Sequence, residues 1–294
     1  MTARAAALLG VHPNQDYDIV TAGGVHDPLT SKEPMNSISR SLLRSLPLLL
    51  AGNLALSLSA PCQQSGLPNA PQPQAVSRSA ATVRNSPRNF LEDQKAIWTS
   101  PAHLRESNAI GPAALVLATA VLITTDHQVM SSHFQDATLN DRASTASNAL
   151  TGLMAGAPVA FFAVGELGHR DQAAETGIMG GEAMADSLVV NYAVKAVSLR
   201  QRPTLDSARG KFFQTSVGLD SSFPSNHSIV AWSSAAVIAS EYPGWATKIT
   251  AYGLASGVSI SRVLARQHFP SDVFVGSALG WMIGRYVYHR HHRY

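Results

Sequence analysis

From residue 91 to residue 288 the chain is a succession of long apolar stretches separated by short polar breaks. Nowhere in it do apolar and polar residues alternate in the two-residue rhythm of strands. Residues 91–105 carry Trp98 and a Thr99-Ser100-Pro101 break. Residues 109–125 and 143–165 are uncharged, the second interrupted by Pro158, and residues 175–199, 227–240, 249–264 and 270–288 follow. Each stretch is long enough for a helix, and the reading is an all-α protein built as a helical bundle. Residues 126–142 are left unassigned, and Met154, Phe161 and Phe162 are read as core.

A membrane span needs about 20 largely apolar residues. Glu182 and Asp186 fall in the middle of 175–199, Glu241 closes 227–240, Lys248 and Arg262 bracket 249–264, and Arg285 sits inside 270–288. Charges at those places are unfavourable in hydrocarbon. The uncharged runs 109–125 and 143–165 are the best span candidates, but their threonine, asparagine and proline favour buried core helices of a soluble bundle. An integral-membrane protein is the alternative. The mean hydropathy of +0.03 is low for a polytopic membrane protein, whereas a charged share of 14% is low for a soluble one.

The net charge is +3, and no broad basic stripe with interleaved aromatics is present, which argues against nucleic acid as a partner. The single cysteine, Cys62, excludes an intramolecular disulfide and a Cys-rich zinc site. His103, His127, His133 and His169 show no recurring ligand spacing, so no metal site is expected. The His289-Arg290-His291-His292-Arg293 tail is read as solvated.

Residues 1–34 are polar and lack periodicity. Met35 opens a different pattern: Arg40 and Arg44, then a leucine-rich stretch to residue 60 ending in small residues. That is the layout of a secretory signal peptide, with Met35 as a candidate start and 1–34 as an upstream extension. An uncleaved N-terminal anchor is the alternative. Cys62 follows Pro61, unlike a lipidated cysteine, which follows a small residue. Residues 61–88 are rich in Pro, Gln and Ser and read as a linker. The folded domain is expected over 89–294, secreted or periplasmic.

Chemistry concentrates near the C-terminal end. Lys195 and Arg202 stand two helical turns apart, so a continuous helix would project them from one face, and Pro203 would end that helix at Arg202. Both suit phosphoryl oxygens, arginine as a planar fork and lysine as a point charge. Arg200 would lie on another face and is read as structural. Pro224-Ser225-Asn226-His227 precedes an apolar run, with Ser225 as a natural N-cap at an anion-binding helix start. Ser261-Arg262 closes one helix, and His268-Phe269-Pro270-Ser271-Asp272 opens the next. Asp272, four positions after His268, is placed to accept its Nδ1–H and leave Nε2 to attack. Each piece alone has a bland reading: a solvated cation pair, a capping histidine, a helix-capping aspartate beside a core histidine.

Together, Lys-x6-Arg-Pro, Pro-Ser-x-His and Ser-Arg-x5-His-x3-Asp resemble the three-part signature of the type 2 phosphatidic acid phosphatase superfamily. That superfamily also holds bacterial class A acid phosphatases, lipid phosphatases and vanadium haloperoxidases. The resemblance implies a nucleophilic His268 that becomes phosphorylated, an orienting Asp272 and a proton-donating His227. It implies Lys195, Arg202 and Arg262 as phosphate ligands, assisted by Ser225 and the backbone N–H of Asn226. Three cations facing the equatorial oxygens make a metal unnecessary. One position departs from the pattern: Asn226 stands where glycine is usual, and asparagine is among the few residues that tolerate a left-handed backbone.

The expected function is therefore hydrolysis of phosphomonoesters, with no cofactor and with vanadate as inhibitor. Three rivals stand beside it: a membrane phosphatase of phosphatidate or isoprenyl pyrophosphate, a haloperoxidase using vanadate as cofactor, and an inactive anion-binding scaffold. The partner is a phosphorylated small molecule or a lipid phosphate, and membrane association stays open.

Overall fold

The computed structural model describes residues 82–103, 105 and 109–292. The signal peptide, the start at Met35, Cys62 and most of the 61–88 segment lie outside the described residues. Seven α-helices order the remainder: α1 (Ser86–Thr99), α2 (Ile110–Ser132), α3 (Ala137–Gly168), α4 (Asp171–Ser198), α5 (Asn226–Glu241), α6 (Trp245–Leu264) and α7 (Pro270–His291). Among the described residues there is no strand, and the all-α expectation holds. α1 begins at Ser86, inside the stretch read as linker. The unassigned 126–142 region divides into the end of α2 and the start of α3. Asp136 caps α3, its Oδ1 accepting from Thr138 N–H at 2.8 Å and Leu139 N–H at 3.3 Å. Pro158 lies within α3, which runs through it rather than breaking there.

Helix α5 is central, packing against α3, α4, α6 and α7. Ile229, Ala231, Ala235, Ala236 and Val237 on it are fully buried. Its closest neighbour is α7, which turns Gly276, Gly280 and Gly284 towards it. A Cβ at Gly280 would collide with the carbonyl oxygen of Ile229. This approach holds the start of α5, with His227, against the start of α7, just after His268. Met154 and Phe161 join the core between α3, α5 and α6.

Two expectations need correction. The apolar runs of α2 and α3 are not buried core helices. Both are long and apolar enough to cross a membrane, yet only 11% and 22% of their most apolar windows are buried. Ile110, Val116, Leu117 and Val121 on α2, and Val159 and Leu167 on α3, are exposed. α2 is apolar on all sides, and only its C-terminal half, at Asp126 and Met130, is buried. The second correction concerns the C-terminal tail. His291 is buried, with Nε2 2.7 Å from Asp93 Oδ2. A fully buried carboxylate requires such a partner.

Glu182 and Asp186, the charges that spoke against a span, are buried where α1 meets α4. Asn89 donates to Glu182 Oε1 at 3.2 Å and Gln94 to Asp186 Oδ1 at 2.8 Å. Burial pushes the Asp186 carboxyl up to about 7.

Candidate active site

Helix α4 carries Lys195 in its last turn and ends at Ser198, where Leu199 adopts a left-handed conformation (φ 42°). Arg202 therefore lies beyond the helix, and the expected shared helical face with Lys195 does not exist. The two cations meet because the chain after Leu199 folds back. Phe213 N–H donates to Ser198 O at 2.9 Å, and Ser222 N–H donates to Arg200 O at 2.8 Å. Lys195 is 1% exposed and its ammonium donates to the carbonyl of Ser221. Arg202 donates to Asp220 Oδ1 at 2.7 Å and to the carbonyl of Gln267 at 3.2 Å.

Ser225 is the N-cap of α5, its Oγ accepting from Ser228 N–H at 3.4 Å. It is fully buried, and its own N–H donates to Asp272 O at 3.1 Å. This bond ties the starts of α5 and α7 together. Asn226 is the first residue of α5 and is not among the positive-φ residues, so no left-handed backbone is required there. Its N–H has no intrahelical acceptor, and its side-chain oxygen accepts from Asn191 of α4. His227 follows, half-buried, with a buried Nδ1 that has no hydrogen-bond partner.

Arg262, in the last turn of α6, is 5% exposed. It donates only weakly, to Asn148 of α3 at 3.4 Å, and its buried Nε lacks a partner. Gln267 N–H returns to Arg262 O at 3.1 Å, which sets His268 directly before the N-cap of α7. His268 is 2% exposed. Its Nδ1 lies 2.7 Å from the carbonyl oxygen of Ser222 and 3.6 Å from Asp272 Oδ2.

Asp272 was expected to accept the Nδ1–H directly. At 3.6 Å it makes an electrostatic contact, beyond hydrogen-bond range, and the Ser222 carbonyl is the acceptor. A carbonyl only accepts, so Nδ1 carries the proton and Nε2 bears the lone pair. The carboxylate itself is occupied on every side. Oδ2 accepts from Phe269 N–H at 2.8 Å and from the Ser222 hydroxyl, while Oδ1 accepts from Arg200 at 2.6 Å. Burial works to raise the Asp272 pKa, but His268, Arg200 and Ser222 outweigh it and hold it below the usual value.

The electrostatics show which groups lie near one another. Burial, then the charges of Arg262, His268, Arg202 and Lys195, lower His227 to about 4. Burial lowers His268 to about 4 as well, with Arg262 and Arg202 adding to it against the opposing pull of Asp272. Lys195 falls to about 8 through burial and the nearby Arg202, and Arg262 to about 10 for the same two reasons. The structure thus brings Lys195, Arg202, His227, Arg262 and His268 together, with Asp272 behind His268. Lys195 and Arg262 are buried without a carboxylate partner, which is unfavourable until an anion enters.

Residues 179–294 match the model of the PAP2 superfamily. The match supports a phosphatase-type function. No curated protein and no solved structure matches. The PAP2 segment contains every motif residue from Lys195 to Asp272, on α4 to α7. Asp126 on α2 and Asn148 on α3 lie outside it and still reach into the site. Ser222, Asp126 and Asn148 were missed in the sequence because none belongs to a motif. Arg200 was seen, but its burial was not.

Proposed function

We propose that this chain hydrolyses phosphomonoesters through a phosphohistidine formed on His268, in the manner of bacterial class A acid phosphatases. The observation that carries the reading is the convergence of three buried or partly buried cations on two histidines. The phosphoryl oxygens supply the anion that Lys195 and Arg262 lack, with Arg202, paired with Asp220, beside them. Nε2 of His268 attacks phosphorus, the bond from phosphorus to the ester oxygen breaks, and His227 gives a proton to the departing alcohol. Water then attacks the phosphohistidine with His227 taking its proton, and orthophosphate leaves. The Ser222 carbonyl keeps the Nδ1 proton in place throughout.

His227 must be protonated for the first step although its pKa in the empty pocket is about 4. A bound phosphate dianion supplies opposite charge and raises it. The chemistry needs no cofactor, so EDTA leaves activity intact, and vanadate inhibits by mimicking the pentacoordinate state. The site faces a secreted or periplasmic compartment in this reading.

A panel of soluble monoesters, followed by rapid-quench trapping of an acid-labile phosphoenzyme, tests the proposal. Turnover with no trapped phosphoenzyme, or trapping that survives in His268→Ala, overturns it. A second reading has one observation in its favour: the exposed apolar surfaces of α2 and α3 suit a phosphatase that works on lipid phosphates at a membrane. Extraction without detergent and preference for soluble over lipid substrates favour the first reading, and the converse favours the second.

A further inference from the structure

We propose that Arg200 and Asp126 are positioning residues for phosphoryl transfer, acting through Asp272 on Ser222 and His268. The inference rests on the phosphohistidine reading above. Arg200 is 1% exposed and every face of its guanidinium is used. Nη1 donates to Asp272 Oδ1 at 2.6 Å and to Ser271 Oγ at 2.7 Å, Nη2 donates to Asp126 Oδ2 at 2.7 Å, and Nε donates to Gly210 O at 3.2 Å. Its planar surfaces stack on Phe269 at 4.1 Å and Phe212 at 4.7 Å. Asp126 is 1% exposed and accepts in addition from the backbone N–H of Ser271 at 3.1 Å and from its hydroxyl.

One guanidinium therefore bridges two buried carboxylates, one on α7 and one on α2. Each carboxylate takes a single N–H from a different nitrogen of the planar guanidinium, which holds both at a fixed separation as a lysine would not. With Oδ1 of Asp272 held by Arg200, Oδ2 is aimed at the Ser222 hydroxyl and at Phe269 N–H. The same Ser222 presents its carbonyl to His268 Nδ1. A rotation of Asp272 would thus shift the acceptor that sets the nucleophile's tautomer and direction. Two carboxylates against one arginine also leave one negative charge behind His268. Arg262 and Arg202 disfavour protonation of that ring, and the nearby His227 is electrostatically coupled to it. Asp126 thereby moderates the basicity of a nucleophile it does not touch, from a helix outside the PAP2 match.

Asp126→Asn keeps the side-chain shape and removes one charge. It is expected to lower kcat about 10- to 100-fold, a range expected for small misplacements near a reacting centre, with KM little changed. The acid limb of kcat/KM moves to lower pH, because the positive His268 ring loses a stabilising charge. Arg200→Lys gives a similar loss, and the double variant is little worse than either single one, since both changes break one chain. Circular dichroism and thermal melts establish that the variants fold.

A measurement independent of turnover comes from 15N NMR of the histidine rings. The Nδ1–H tautomer of His268 dominates in the parent protein, and its signals broaden or shift in Asp126→Asn. A folded Asp126→Asn protein with parental kcat, pH profile and His268 spectrum overturns the inference even if the phosphatase reading stands. If the protein hydrolyses no phosphoester, the His268 spectra alone decide the positioning role.

Discussion

His268 Nδ1 sits 2.7 Å from the main-chain carbonyl oxygen of Ser222. A backbone acceptor cannot be protonated or removed by a side-chain change, so the tautomer of the proposed nucleophile is set by the fold itself. Asp272, 3.6 Å away, contributes charge and holds Ser222 in place.

The first prediction follows from that division of labour. Asp272→Asn removes the charge and loosens Ser222, but the Ser222 carbonyl remains the acceptor, so His268 keeps its Nδ1–H. The substitution is expected to lower kcat by about 10²-fold, whereas His268→Ala removes the nucleophile and lowers it by at least about 10³-fold. Steady-state kinetics on one monoester series decides this. Equal losses in the two variants would show that Asp272, rather than Ser222, governs the ring.

His227 is assigned to proton donation, and its removal should depend on the leaving group. For an alkyl phosphate, His227→Ala is expected to lower kcat by about 10²- to 10⁴-fold. For an activated aryl phosphate, whose phenolate leaves without a proton, the loss is much smaller. A loss that is the same for both substrates contradicts the assignment.

The pH profiles carry the sign of the pocket's charge. Cations and burial depress His227 to about 4 in the free protein, and a bound phosphate opposes them. The profile of kcat/KM, which reports free enzyme, is therefore expected to lose its His227-protonated form at lower pH than the profile of kcat, which reports the complex. Overlapping alkaline limbs in the two profiles would contradict this ordering. Stability follows the same logic. Both histidines have folded values near 4, below the ordinary 6.5, so the unfolded chain takes up protons first. Their contribution favours the folded state above about pH 6.5 and is lost as pH falls towards 4.

An oxyanion should stabilise the protein, because Lys195 and Arg262 are buried and carry no carboxylate partner of their own. Orthophosphate or vanadate at 100 times its Kd is expected to add about 2.7 kcal/mol at neutral pH, read as a rise in melting temperature. Arg262→Met should lose most of that ligand-dependent rise and melt no lower than the parent without ligand. An undiminished rise in this variant would place the anion elsewhere.

Much of the site was written in local sequence. The N-cap at Ser225, the proline opening α7 and the order of the three motifs each depend on residues within one turn of one another, and local chemistry decides them. α4 to α7 were legible as long apolar runs. The glycines at 276, 280 and 284 also carried a signal, a four-residue spacing that brings one helix face close to its neighbour.

What the sequence determined, then, is the all-α class, the starts of α5 and α7, and the three motifs whose residues the fold brings near one another. Tertiary structure alone decided that Lys195 and Arg202 meet across a reversed chain rather than along a helix. It also decided that the Ser222 carbonyl holds His268, that Arg200 joins Asp126 to Asp272, and that α2 and α3 keep their apolar sides uncovered. The physical reason is separation along the chain. Hydrogen bonds between residues 46, 72 or 74 positions apart arise from packing and the satisfaction of buried polar groups, and no local pattern encodes them.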